Sequence, residues 1–122
     1  MSWVFDPDRP LYLQLKEQIK FLIVSGAYEP GYRLPGVRDL AAEASVNPNT
    51  LQKALSELER EGLVYAQRTS GRFVTEDTEM ISRIRTELAL EQVETFLKKM
   101  DALGVSIQAA AALIRSKSGE ER

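Results

Sequence analysis

The sequence predicts a mainly helical fold with one small β-hairpin, ordered as three helices, the hairpin and two further helices. Three observations carry this. Apolar residues recur at three–four spacing in five stretches. Two short β-type runs, 63–67 and 72–75, flank a Thr-Ser-Gly tip. Gly or Pro punctuates most of the junctions between them.

The first helix is expected near Pro10, with Asp8 as its cap and proline in the first turn, where its missing N–H costs nothing. Leu11, Leu15, Ile19, Leu22 and Ile23 form its apolar face, and Gly26 ends it. Tyr28-Glu29-Pro30-Gly31-Tyr32 is a turn, and Arg33-Leu34 a very short strand. The second helix, 37–44, buries Val37, Leu40, Ala41 and Ala44. Ser45-Val46-Asn47 leaves room only for a tight turn. Asn47 then caps the third helix, Pro48 takes its first position, and Leu51, Ala54, Leu55 and Leu58 make its buried stripe up to Gly62. The hairpin follows, with its tip at 68–71. Helix, helix, tight turn, helix, hairpin is the order of a winged helix-turn-helix.

The character changes near Glu76, which divides the chain into a winged domain, 1–76, and a two-helix segment, 77–122. One long helix is expected over 78–103, stopped by Gly104, and a last one from Ile107 to about Lys117, capped by Ser106; 118–122 reads as a frayed tail. Ile81, Ile84 and Leu88 share one side of the long helix. Val93, Phe96, Leu97, Met100 and Leu103 lie roughly a third of a revolution away at 100° per residue. One partner cannot cover both stripes of a straight helix. The second stripe, with Ile107, Ala110, Ala111 and Ile114 of the last helix, is assigned to dimerisation; the other use of these faces is a cap on the winged domain.

Composition narrows the function. The chain of 122 residues has neither cysteine nor histidine, which removes disulfides, thiolate metal sites, the commonest general base and the commonest metal ligand. Catalysis, a metal and a cofactor are therefore not expected. No apolar run reaches the ~20 residues of a membrane span. The start Met1-Ser2-Trp3-Val4-Phe5-Asp6 has no basic stretch before an apolar one, and a cytoplasmic protein is expected. A net charge of −2 counts against nucleic-acid binding unless the cations are clustered. They are: Arg33, Arg38, Lys53, Arg68 and Arg72 fall near the third helix and the hairpin, whereas Glu57, Glu59 and Glu61 come later in that helix.

In a helix-turn-helix the second helix enters the major groove by its N-terminal turns. The outward residues there are Asn47, Asn49, Thr50, Gln52 and Lys53, with no acid before Glu57. Asn and Gln can bond an adenine edge in bidentate fashion, Thr offers a hydroxyl or methyl, and Lys reaches guanine or phosphate. The competing use is a solvated polar face with Asn47 merely a cap. The hairpin tip, Arg68, Thr69, Ser70, Gly71 and Arg72, lacks acids and suits phosphates or a minor groove. Arg38 opens the second helix, where the helix dipole disfavours a cation, so an external anion is expected.

Several runs make the chain recognisable: Pro10-Leu11-Tyr12-Leu13-Gln14-Leu15, Gly31-Tyr32-Arg33-Leu34-Pro35-Gly36-Val37-Arg38-Asp39-Leu40-Ala41, Val46-Asn47-Pro48-Asn49-Thr50-Leu51-Gln52-Lys53-Ala54-Leu55, Leu58-Glu59-Arg60-Glu61-Gly62-Leu63 and Gly71-Arg72-Phe73-Val74. In order and with little gap from about 12 to 74, they resemble the GntR family of bacterial regulators. In length the C-terminal part is similar to the YtrA-type subfamily, which carries two helices after the winged domain. The resemblance implies a regulator of transcription that binds a double-stranded operator as a homodimer. It also implies that Arg38, Asn47, Asn49, Thr50, Gln52 and Lys53 face the major groove, that Arg68 to Arg72 form the wing, and that Tyr12 meets a phosphate. Two departures are visible: Gly36 stands where the family usually has Ser, and the tip is poorer in glycine. The sequence assigns no small-molecule effector. A protein-interaction module is the alternative use of the fold, which the negative net charge would suit.

Overall fold

The computed structural model describes residues 3–119. Among them are α1 (Leu11–Val24), α2 (Val37–Ala44), α3 (Pro48–Arg60), β1 (Val64–Gln67), β2 (Gly71–Val74), α4 (Thr78–Ala102) and α5 (Ile107–Ser118). Helix α5 ends on Gly119 in the left-handed conformation, and 120–122 of the expected tail lie outside the described residues. The chain divides into two compact units, one ending at Ile84 and the other beginning at Arg85.

The first unit is built around α3. Leu15, Ile19 and Ile23 of α1, Leu40 of α2, and Leu51, Leu55 and Leu58 of α3 are fully buried together with Leu63, Val64 and Val74 of the hairpin region. Their helical spacing in the sequence becomes a shared interior because α3 packs on both α1 and α2 and leads directly into β1. Ile81, in the first turn of α4, is buried as well.

Helix α1 begins differently from the expectation. Asp8 is not its cap: Pro10 holds the N-cap position with no side-chain cap hydrogen bond. The chain ahead closes instead on the buried Gln14. Its Nε2 donates to the carbonyls of Asp6 and Arg9 at 2.7 and 2.9 Å, and its Oε1 accepts from the Asp6 amide at 2.6 Å. Asp8 is inside this turn, donating its own amide to Asp6 Oδ1 at 2.9 Å. Gln18 Nε2 donates to the Val4 carbonyl at 2.7 Å, and the Trp3 indole donates to Glu43 Oε2 of α2 at 3.0 Å.

The turn between α2 and α3 passes through Ser45, at φ 58°, the only non-glycine residue with positive φ among those described. The Val46 amide returns to the Ala41 carbonyl at 2.9 Å, and Asn47 Oδ1 accepts from the Asn49 amide at 2.7 Å, capping α3 over Pro48. After α3, β1 and β2 pair antiparallel from Val64↔Val74 to Gln67↔Gly71. Tyr65 and Phe73 stack across them at 5.6 Å between ring centroids. The expected strand at Arg33-Leu34 is a single bridge, Arg33↔Phe73, flanked by hydrogen bonds from Leu34 N to the Arg72 carbonyl and from Val74 N to the Tyr32 carbonyl, both 2.9 Å.

In the second unit α4 and α5 are joined at Gly104, φ 81°, with the Val105 amide bonded to the Met100 carbonyl at 2.9 Å, a helix end that needs the left-handed residue. Ser106 Oγ accepts from the Ala109 amide at 3.1 Å, the expected cap of α5. No described helix is long and apolar enough to cross a membrane.

Candidate nucleic-acid interface

The starts of α2 and α3 face each other across a concavity of about 380 Å³ lined by Val37, Arg38, Asn47, Pro48, Asn49 and Gln52. The tight turn at Ser45–Asn47 is what brings the two helix starts together. Arg38, Asn49 and Gln52 are exposed there. Asn47 is also exposed, but one lone pair of its side-chain oxygen is engaged by the cap bond, which fixes the orientation of its amide. Thr50 is half-buried on the next turn and does not line the concavity.

Lys53 and Tyr12, far apart in sequence, meet in space. The Lys53 ammonium lies 3.8 Å from the centroid of the Tyr12 ring, a cation–π contact at the junction of α1 and α3. The ring holds the cation on the same side of α3 that follows Asn49 by one turn.

The acids of α3 are drawn into internal pairs. Glu57 pairs with Arg60 at 3.4 Å, and Glu59 with Arg72 of β2 at 2.5 Å. Glu61 pairs with both Lys16 and Lys20 of α1. Burial pushes the Glu61 carboxyl upward; the hydrogen bonds and charges of the two lysines outweigh it and hold the pKa below the ordinary carboxylate value. The reading end of α3 is thus left without an acid, while its far end is locked to α1 and the wing. This explains how a chain of net charge −2 presents a cationic face. Asp39, beside Arg38 in the first turn of α2, is the exposed acid nearest that face in sequence.

At the wing, Arg68 and Thr69 are exposed, Ser70 is half-buried, and Gly71 sits at φ 105°. A side chain at Gly71 would come within 3.4 Å of Arg33 Nε, so the Arg33 guanidinium lies alongside the hairpin tip. Arg33, grouped in the sequence with the cations near the hairpin, thereby lies beside the wing tip. Arg72 does not point away with Arg68: its Nε is bound to Glu59, and its Nη1 lies 3.5 Å from Gln52 Oε1.

Of the residues assigned to dimerisation, Val93, Phe96, Leu97, Ile107, Ala110, Ala111 and Ile114 line one apolar groove of about 510 Å³ between α4 and α5. Met100 and Leu103 do not line it; Met100 is half-buried and Leu103 exposed.

A three-helix unit with its second helix pair joined by a tight turn, followed by a hairpin docked on the reading helix, is a winged helix-turn-helix. A model of the family described as bacterial regulatory proteins, gntR family, matches residues 11–74. The chain is 39% identical over 102 residues to YhcF of Bacillus subtilis, named as an uncharacterized HTH-type transcriptional regulator, with 84% of each chain covered. It is 32% identical to the HTH-type transcriptional repressor YtrA of the same organism, over 91% of this chain and 86% of that one. Among solved structures, a GntR family transcriptional regulator from Listeria monocytogenes superposes with a TM-score of 0.85 at 36% identity, covering 92% of this chain and 98% of the other. The AraR DNA-binding domain in complex with operator ORX1 matches with a TM-score of 0.55 at 30% identity, over 59% of this chain and 93% of that one. The chain belongs to the GntR family of bacterial regulatory proteins.

Proposed function

We propose that this regulator binds a two-half-site operator as a homodimer in the cytoplasm and represses transcription from it. The observation that carries the reading is the concavity where Arg38, Asn49 and Gln52 converge, exposed and without a carboxylate in its lining. Arg38 supplies a guanidinium for phosphate or guanine, Asn49 and Gln52 supply amides for base edges, and Lys53 on Tyr12 supplies a backbone contact. Arg68, Thr69, Ser70 and Gly71, with Arg33, form the wing that meets the adjacent phosphates or minor groove. The operator complex of the AraR domain and the repressor name of YtrA support DNA binding over a protein-interaction module. The groove lined by Val93, Phe96, Leu97, Ile107, Ala110, Ala111 and Ile114 supports pairing of two copies, with Met100 and Leu103 at its margin.

Selection of bound sequences from random DNA tests this directly. The expected product has two related half-sites with centres about one helical turn, or a multiple of it, apart. Arg38→Ala should weaken binding by about 1–3 kcal/mol if the lost contact is to a base. No enrichment above competitor DNA would refute the proposal.

A further inference from the structure

We propose that Arg72 is a positioning residue that fixes which base Gln52 can read, and that Gln52 consequently selects a keto base, guanine or thymine. The inference rests on the operator-binding reading above and names the chemistry of one position within it. Gln52 and Glu59 are seven residues apart on α3, two turns along one face, so a single wing side chain can reach both. Arg72 does so. Its Nε binds Glu59 Oε1 at 2.5 Å, and its Nη1 faces Gln52 Oε1 at 3.5 Å. The Arg72 and Glu59 side chains are sheltered, at 21% and 31% exposure. The Arg72 backbone is fixed on both sides as well: the residue pairs with Ala66 of β1, and its carbonyl accepts from Leu34 N at 2.9 Å.

Guanidinium has donors only, so the amide atom of Gln52 turned toward Arg72 must be the oxygen. The Nε2 amide group then points away from Arg72. Bidentate reading of adenine requires one donor and one acceptor from the same amide. With Oε1 turned toward Arg72 and one of its lone pairs engaged there, the group that Gln52 presents to the groove is the Nε2 donor pair. Guanine, with N7 and O6, and thymine, with O4, present acceptors alone, whereas adenine N7 sits beside the N6 donor, which such an amide would leave unpaired. Arg72 thereby acts on sequence through Gln52 and does not serve as a phosphate anchor.

The test selects sites from random DNA with the full chain and with Gln52→Ala, which identifies the position that Gln52 reads. The wild type should show guanine or thymine there. Arg72→Ala should admit adenine at that same position, reducing the keto preference roughly tenfold, with the salt slope of log affinity unchanged. Adding Arg72→Ala to Gln52→Ala should change the base preference no further. Thermal melting checks folding; if Arg72→Ala is unfolded, Glu59→Gln releases the arginine from its charged partner and should shift the preference in the same direction by less. Adenine at this position in the wild type would overturn the inference. So would an intact keto preference in the folded variant, or an intact preference with a salt slope lowered by about one, which marks a phosphate contact. Failure of the wild type to enrich any sequence would remove the operator-binding reading itself, and the inference with it.

Discussion

In the unit ending at Ile84, Leu15, Ile19, Leu40, Leu51 and Leu58 are 0% exposed. In the unit beginning at Arg85, Leu90, Val93, Ile107 and Ile114 are 50–67% exposed, and Ala110 is the one fully sequestered apolar residue among those described. Both regions carry apolar residues at helical spacing. They differ in what is available to cover them: three helices and a hairpin enclose one interior, whereas two helices cannot. Apolar faces left open in this way mark interaction surfaces. Burial thus separates the part of the chain that encloses its own interior from the part whose apolar pattern stays open.

The most severe way to break this contrast is to separate the units. A shortened chain ending at Ile84, which retains the buried Ile81, should fold and sediment as a monomer. Its affinity for a two-half-site operator should fall by about 10²–10⁴ through loss of linkage, with binding to one half-site little changed. A shortened chain that still dimerises would place the interface elsewhere. Point substitutions sharpen the same contrast. Leu55→Ala, in the closed interior, should cost roughly 2–5 kcal/mol in denaturant unfolding. Phe96→Ala, at 36% exposure in the groove, should instead shift the monomer–dimer equilibrium measured by sedimentation. Equal losses of fold stability from both would defeat the distinction.

The smallest effect concerns pH. The folded Glu61 pKa lies below its unfolded value because Lys16 and Lys20 outweigh the burial penalty. Its contribution is therefore present above the ordinary carboxylate value and is lost as pH falls through the folded one. The group is partly exposed, so about 1 kcal/mol or less is at stake. Melting of wild type and Glu61→Gln should differ at pH 6 and converge at low pH; a gap that widens toward acid would reverse the sign.

The sequence made legible what local rules control. Asn47 before Pro48, the stripe Leu51, Ala54, Leu55 and Leu58, and Gly62 define α3 from end to end, because capping, periodicity and termination all act within a few residues. The start of α1 was not legible in the same way. Asp8 has the chemistry of a cap, but the turn is closed by Gln14, whose side chain reaches back to Asp6. Nor did spacing show that Arg72 turns inward: it is thirteen residues from Glu59, and only the docking of the hairpin on α3 makes them neighbours. The contact of Lys53 with Tyr12 has the same origin, since two helices must pack before the ammonium finds the ring.

The ion pairs along α3 have a consequence for how association proceeds. Glu61 is tied to α1 by two lysines and Glu59 to β2 by Arg72, so the helix is held against rotation about its own axis from opposite sides. Lys53 is already parked on its ring, and Asn47 is committed to its cap. Side chains restrained before encounter have little rotamer entropy left to lose on binding. For Lys53 and Asn47 that ordering belongs to folding and is completed before any partner arrives, whereas the exposed Arg38 and Asn49 take up their order on binding.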